Sequence, residues 1–234
     1  MKPFETLAEA IAPGGARLSL HRRDADLFLH VDGAELMSTR RRVSEEQLAD
    51  LALERAPAKA EVLIGGLGLG FTLRRVLERT GPVSHVAIAE LVPAVVEWNR
   101  LHLAETTGKA LLDPRVQLHV ADVHQVLLAA RPRSIDALLL DVDNGPGPLV
   151  KGTNRQLYDR PGLQRLSRLL AKGGRAVFWS ARAEPRFEER LREVGFDVRM
   201  ERAKTHGGAR RSSHSIYVAD APAMRPASGE DALP

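Results

Sequence analysis

Four glycines, Gly65, Gly66, Gly68 and Gly70, lie in "VLIGGLGLGFTL" (Val62 to Leu73), between an apolar run and a helical pattern. Glycine permits positive φ and a close backbone approach, so a glycine turn leading from a strand into a helix can receive a nucleotide-like ligand. A tight turn needs glycine whether or not anything binds, so its companions decide its meaning. Glu90 ends "SHVAIAEL", 22 residues beyond Gly68, where a carboxylate can accept hydrogen bonds from both hydroxyls of a ribose. Asp122 ends "RVQLHVAD", in place for an adenine amino group. Asp141 ends "SIDALLLDVD" and opens the acidic, proline-stiffened loop "DVDNGPGP". Each acid has an ordinary alternative: Glu90 as a helix-end charge, Asp122 as the N-cap of "VHQVLLAA", Asp141 as a loop carboxylate. Three acids at successive strand ends after a glycine turn favour a nucleoside site.

Regular alternation must position these residues. From residue 60, "EVLIGG", "SHVAIAEL", "RVQLHVAD", "SIDALLLDVD" and "RAVFWSA" read as strands. Between them, "FTLRRVLERT", "VPAVVEWNRLHLAETTG", "HQVLLAAR" and "NRQLYDRPGLQRLSRLLAKGG" read as helices, the last broken near Pro161 and ending at glycine. "PRFEERLREVG", "FDVRMERA" and "HSIYVAD" close the pattern. Strands alternating with helices predict an α/β fold, a mostly parallel, doubly wound sheet. Residues 1–57 differ: "ARLSLHRRDADLFLHVDGAELMSTRR" predicts a small antiparallel meander of two or three strands. "SEEQLADLALERA" then predicts a helix with Ser44 as N-cap and Gln47 completing a capping box. The expected organisation is an N-terminal hairpin region with its helix over 1–57, a Rossmann-like catalytic domain over 58–220, and a Pro/Ala-rich disordered tail over 221–234.

Composition narrows the classes. The 234 residues suffice for one sizeable domain, and 44% hydrophobic with 27% charged residues is globular. No apolar run approaches the roughly 18–20 residues of a membrane span. The start, "MKPFETLAEAIAPGG", lacks the pattern of a secretory signal, which predicts a cytoplasmic protein. Without cysteine there is no disulfide, thiolate nucleophile or cysteine-bound zinc. The net charge is +4 and the pI about 9.7, with arginine clusters at Arg22–Arg23, Arg40–Arg42 and Arg210–Arg211. They are short and scattered among only 4% aromatic residues, which favours solvated faces over nucleic-acid binding. His206 and His214 flank "GGARRSS" without further ligands at metal spacing, so no metal is expected; His119 reads as a core histidine.

The stretches "VLIGGLGLG", "VAIAEL", "ADVHQVLL" and "LLLDVDNGPGPL…LYDRPGLQRLSRLLAKGG" resemble the core of spermidine synthases, the polyamine aminopropyltransferases, over about residues 26 to 219. The resemblance implies the S-adenosylmethionine-dependent methyltransferase fold. It also implies decarboxylated S-adenosylmethionine, or S-adenosylmethionine itself, as donor and a small-molecule amine as acceptor. By resemblance, Gly65, Gly66 and Gly68 approach the amino-acid part of the donor, Glu90 binds its ribose, Asp122 contacts its adenine, and Asp141 is the catalytic aspartate. Asp143 shares the site or faces solvent. Asn144 stands where the family's loop has a second aspartate, and Tyr158 loosely matches an aromatic position of the acceptor pocket. Trp179 and Ser180 are further candidates for that pocket, Trp179 more readily as core. A homodimer is left open.

An amine attacks only after losing its proton, so a carboxylate beside it can hold the ammonium and accept that proton; Asp141 is the candidate and Asp143 the alternative. The competing readings are an S-adenosylmethionine-dependent methyltransferase and a non-catalytic nucleoside-binding relative. This chain departs from the family where a linear diamine is recognised. Leu36 replaces a glutamine, and Glu45, Glu46 and Gln47 align with a Tyr-His-Glu triplet. Spermidine formation from putrescine is therefore expected to be poor. Robust putrescine turnover in a chromatographic assay would show that the N-terminal alignment is wrong.

Overall fold

The computed structural model describes residues 3–142, 154–203 and 214–222. Asp143, Asn144 and His206, and residues 223–234 of the expected tail, lie outside the described residues.

Where two or three strands were expected at the N-terminus, four form one antiparallel sheet: β1 (Glu5–Ile11), β2 (Arg17–Arg23), β3 (Asp26–Val31) and β4 (Ala34–Ser38). The extra strand, β1, hides in "ETLAEAI", whose alanines and glutamates carry little strand preference. It is held by pairing with β2 and by exposed ion pairs such as Arg22–Glu5 at 2.8 Å. Leu18, Leu20, Leu27 and Leu29 turn one face of this sheet into the main core. Of the Arg40–Arg42 cluster, Arg40 pairs with Asp26, Arg41 with Glu35 and Arg42 with Glu46.

The helix α1 (Val43–Leu53) follows. Ser44 is not its N-cap: Arg42 holds that position, and the Ser44 hydroxyl donates instead to Glu45 Oε2 at 2.6 Å. The chain then alternates through β5 (Glu61–Gly65), α2 (Phe71–Arg79), β6 (His85–Glu90), α3 (Pro93–His102), a short 3-10 helix (Gly108–Leu112), β7 (Val116–Val120), α4 (Val123–Ala129) and β8 (Ile135–Leu140). The helix expected to break near Pro161 is divided into α5 (Arg155–Tyr158) and α6 (Arg160–Leu169), with Asp159 capping α6 through Gly162 N at 2.8 Å. It ends before its glycines: Ala171 to Gly174 belong to β9 (Leu170–Ser180), because pairing along β8 draws them into the sheet. The chain continues through α7 (Pro185–Glu193), β10 (Asp197–Ala203) and β11 (His214–Asp220).

The seven strands run in the order β10-β11-β9-β8-β5-β6-β7. β7, β6, β5, β8 and β9 are parallel, and β11 and β10 add an antiparallel edge. The order reverses between β5 and β8, and ligands bind at the carboxyl ends of strands beside such a switch point. One face buries Ile64, Val86, Ile88, Leu139, Val177 and Ile216 beneath α1, α2 and α3; the other buries Leu63, Leu138, Leu140 and Phe178 beneath α4, α6 and α7. Among the described residues no helix is long and apolar enough to cross a membrane.

Arg175 ties α1 to this sheet. It is 1% exposed, donates to both Asp220 oxygens at 2.6 and 3.0 Å, and reaches the Leu51 carbonyl at 2.7 Å and Glu54 at 2.6 Å. Arg175→Met removes the buried partner of Asp220, Glu54 and the Leu51 carbonyl, leaving the carboxylates only the exposed Arg55 and Arg199, and is expected to cost about 3 kcal/mol in urea unfolding. Arg199→Ala removes the solvent-accessible pairs with Glu54 and Glu201 and is expected to cost about 1 kcal/mol or less in the same assay.

Candidate active site

The glycine turn is pinned at nearly every peptide. Gly66 N–H donates to the Ala89 carbonyl at 2.8 Å, and Leu67 N–H to Glu90 Oε2 at 2.9 Å. Glu90 Oε1 accepts Val92 N–H at 2.8 Å, so this buried carboxylate bridges the turn and the start of the next helix. Asn99 Nδ2 donates to the Gly68 carbonyl at 2.8 Å, and Thr107 Oγ1 to the Leu69 carbonyl at 2.6 Å. Burial pushes the Glu90 carboxyl upward, against the backbone N–H groups of Val92, Leu67, Gly68 and Leu91.

Gly66 is required by a backbone contact as well as by φ, and Gly68 by its φ. At Gly66 (φ 90°) a Cβ would lie 2.5 Å from the Asp141 carbonyl oxygen, so its absence lets the end of β8 approach the turn. At Gly68 (φ 52°) a Cβ would lie 2.5 Å from Met37 Sδ, so the N-terminal sheet reaches over the turn through β4. Gly65 lies against Leu140 and Val123, where an added Cβ would meet side chains at 2.8 and 2.9 Å.

Asp141 N–H donates to the Gly65 carbonyl at 3.1 Å, which sets the acid beside the turn. Burial and the neighbouring charge of Glu45 push the Asp141 carboxyl up to about 8. Glu45, itself 6% exposed, is also pushed upward by burial, against its Ser44 hydrogen bond. Pleat alternation places Asp141 and Trp179 on the α1 side, two residues beyond Leu139 and Val177. Trp179 stacks on His214 with ring centroids 4.7 Å apart. Trp179 Nε1 and His214 Nδ1 are buried without hydrogen-bond partners. Burial holds His214 below the usual histidine range, with Arg41 adding to that and a bond to Ala181 opposing it.

The remaining sequence candidates are placed as follows. Asp122 Oδ1 caps α4 by accepting His124 N–H at 2.8 Å, while Ala121 N–H donates to the Glu90 carbonyl at 2.9 Å and brings the two strand ends together. Tyr158 is 2% exposed, edge-on to Phe187, and its hydroxyl donates to the Val142 carbonyl at 3.4 Å. It reaches the site edge through the backbone after Asp141. His119 is half-buried on the edge strand β7. Among the described residues no cluster of three or more His, Asp or Glu could hold a metal. A cleft of about 570 Å³ lies elsewhere, lined by Arg22, Asp26, Thr39, Arg42 and His102, and contains none of these acids.

Sequence reasoning noted Glu45 only as a departure from the family triplet, and did not single out Met37. Glu45 carried a signal: Leu48, Ala49 and Ala52, its i+3, i+4 and i+7 neighbours, are all buried, so the acid lies on the apolar stripe of its helix. Met37 carried none.

Removing Glu90 should disturb both the fold and the site. Glu90→Ala leaves the Leu67 and Val92 N–H groups unpaired, and unfolding is expected to become easier by roughly 1–3 kcal/mol in urea titration. Methylthioadenosine affinity is expected to fall at least tenfold by calorimetry.

A family model for the spermine/spermidine synthase domain matches residues 42–193. Curated relatives include a polyamine aminopropyltransferase from Korarchaeum cryptofilum, 32% identical over 117 residues, half of this chain and 34% of that protein. A putrescine N-methyltransferase from Nicotiana tabacum is 30% identical over 129 residues, 55% of this chain and 35% of that protein. The chain thus spans about a third of the length of these curated relatives. Among solved structures, the spermidine synthase from Thermotoga maritima superposes with a TM-score of 0.71 at 19% identity, covering 94% of this chain and 74% of that one. A spermidine synthase in complex with the transition-state analogue AdoDATO gives 0.72 at 18% identity, covering 94% and 73%. The fold is the S-adenosylmethionine-dependent methyltransferase fold with a small N-terminal sheet. With well over half of its residues matched by the domain, the chain belongs to the spermine/spermidine synthase family.

Proposed function

We propose that this chain transfers an aminopropyl group from decarboxylated S-adenosylmethionine to an amine acceptor. The observation that carries the reading is Asp141: a carboxylate raised to about 8, set against a glycine turn that a buried glutamate holds in place. Glu90 accepts the Leu67 and Val92 N–H groups at the mouth of the turn, and the same carboxylate is the acceptor for the ribose hydroxyls. Asp122, at the adjoining strand end, is the adenine contact, and Gly65, Gly66 and Gly68 line the remainder of the donor. The donor supplies a carbon already activated by a sulfonium charge. Asp141 holds the acceptor's ammonium and accepts its proton, which frees the lone pair for attack. Asp143 is the alternative base and Asn144 a further acceptor contact. Tyr158 positions the backbone that follows Asp141.

Methyl transfer from S-adenosylmethionine is the second reading, favoured by the similarity to putrescine N-methyltransferases. That donor keeps a carboxylate, which needs a basic or backbone partner. The atoms that crowd Gly68 belong to the thioether of Met37, and an apolar group there supports the decarboxylated donor. Calorimetry of the wild-type protein with both donors and methylthioadenosine separates the readings. Binding of none of the three overturns the transferase reading. A soluble, cytoplasmic protein, active alone or as a homodimer, completes the proposal.

Asp141→Asn keeps the shape of the site and is expected to leave methylthioadenosine affinity within about twofold, while single-turnover transfer falls about 10²–10⁴-fold. Full activity in this variant, or loss confined to Asp143→Asn, would move the base along the loop. In the wild type, kcat/KM should rise about tenfold per pH unit and level off above about 8, where Asp141 is ionised. Stability should run the other way. The folded protein keeps the Asp141 proton from the ordinary 3.8 up to about 8 while the unfolded chain releases it, so unfolding free energy falls as pH rises through that window. Asp141→Asn removes this part of the slope, which urea unfolding at pH 5 and 8.5 measures.

A further inference from the structure

We propose that Glu45 is a second carboxylate of the acceptor site, and that with Asp141 it selects an acceptor carrying a primary ammonium; this rests on the transferase reading above. Compensation of the other acids makes Glu45 the exception. Glu90 is held by backbone N–H groups, and Glu54 by Arg175 and Arg199. Glu46, the next residue along, meets Arg42 and Arg74. Glu45 is more deeply buried than Glu46 or Glu54, yet the groups that hold its carboxylate are neutral, the Ser44 hydroxyl at 2.6 Å and its own backbone N–H. A carboxylate removed from water without a counter-charge is costly, and a second one beside it raises the cost. α1 packs against β8, and across that contact the Glu45 charge bears on Asp141.

The charged groups around the pair do not neutralise it. On α1, Glu46 adds further negative charge and is itself paired. Arg74 of α2 is engaged by Glu46, and Arg41, before α1, meets Glu35 at 3.5 Å. His214 of β11 is held toward its neutral form by burial. Trp179 follows Phe178, the register partner of Leu140, and its indole is a surface suited to an alkylammonium. An entering ammonium supplies the missing positive charge and displaces the proton that two crowded carboxylates would otherwise share. In the reaction Asp141 takes one ammonium proton as the nitrogen–carbon bond forms. The carbon–sulfur bond breaks with its electron pair going to sulfur, which neutralises the sulfonium. The product nitrogen is a secondary ammonium, and Glu45 remains ionised to hold it. An alcohol in the same place leaves the pair uncompensated and is rejected.

The test uses Glu45→Gln, Glu45→Asp and Ser44→Ala in the full chain. The Asp141 carboxyl is followed by carbon-13 NMR through a pH titration without ligand. The expected result is a fall of about one pH unit or more in the Asp141 midpoint for Glu45→Gln, a tenfold change in its proton affinity. Glu45→Asp and Ser44→Ala keep the charge and should keep the raised midpoint. Calorimetry with n-propylamine and putrescine in the presence of methylthioadenosine should show affinity reduced about tenfold in Glu45→Gln, with methylthioadenosine affinity itself unchanged; n-propanol should not bind. An Asp141 midpoint unmoved by Glu45→Gln overturns the proposal, as does amine affinity equal to the wild type's or failure of both amines to bind the wild type. Failure of the transferase reading is distinct: methylthioadenosine would not bind the wild type while the Asp141 midpoint still moved.

Discussion

Glu90 accepts the Leu67 N–H on one oxygen and the Val92 N–H on the other, and the placement of the site depends on that bridge. The glycine turn has little side chain with which to hold itself. Its shape comes from partners elsewhere: Ala89 and Glu90 at the end of β6, Asn99 on α3, and Thr107 beyond it. A turn fixed from outside loses little freedom when a ligand settles on it, which is the advantage of a preorganised site. The same peptides set the end of β8, since Asp141 donates to Gly65 and its carbonyl fills the space that a Cβ on Gly66 would need.

Buried charge is handled in this protein in two ways. Arg175 and Glu90 are compensated inside the fold, by Asp220, Glu54 and a carbonyl in the first case and by backbone N–H groups in the second. Such groups hold elements together: Arg175 locks α1 onto β9 and β11, and Glu90 locks the turn onto β6. Glu45 is held by the Ser44 hydroxyl and its own backbone N–H, and its charge and that of Asp141 repel. A packed interior keeps such a pair only at a cost in stability.

The N-terminal sheet is part of the same construction. Its leucines join the main core, so β2 and β3 are anchored against the body of the protein. That anchoring carries β4 to the glycine turn, where Met37 meets Gly68. The sheet connects directly into α1, so the segment that brings Met37 to the glycine turn also leads to Glu45.

Much of this was legible in the sequence. Apolar runs and helical spacing are local properties, and they located the five parallel strands with their glycine turn and the acids at three strand ends. Local patterns mislead where pairing outweighs preference: β1 has little strand preference, Ser44 has the residue type of a cap but bonds Glu45 instead, and Ala171 to Gly174 follow a helical pattern although β8 draws them into β9. The residues that distinguish this site came together only in three dimensions. Glu45 stands 96 residues before Asp141, and Met37 stands 31 before Gly68. Periodicity reports which face of its own element a residue occupies, which is why Glu45 on an apolar stripe was a readable anomaly. Which charge that face meets depends on the packing of α1 across β8, a long-range contact that spacing along the chain does not encode.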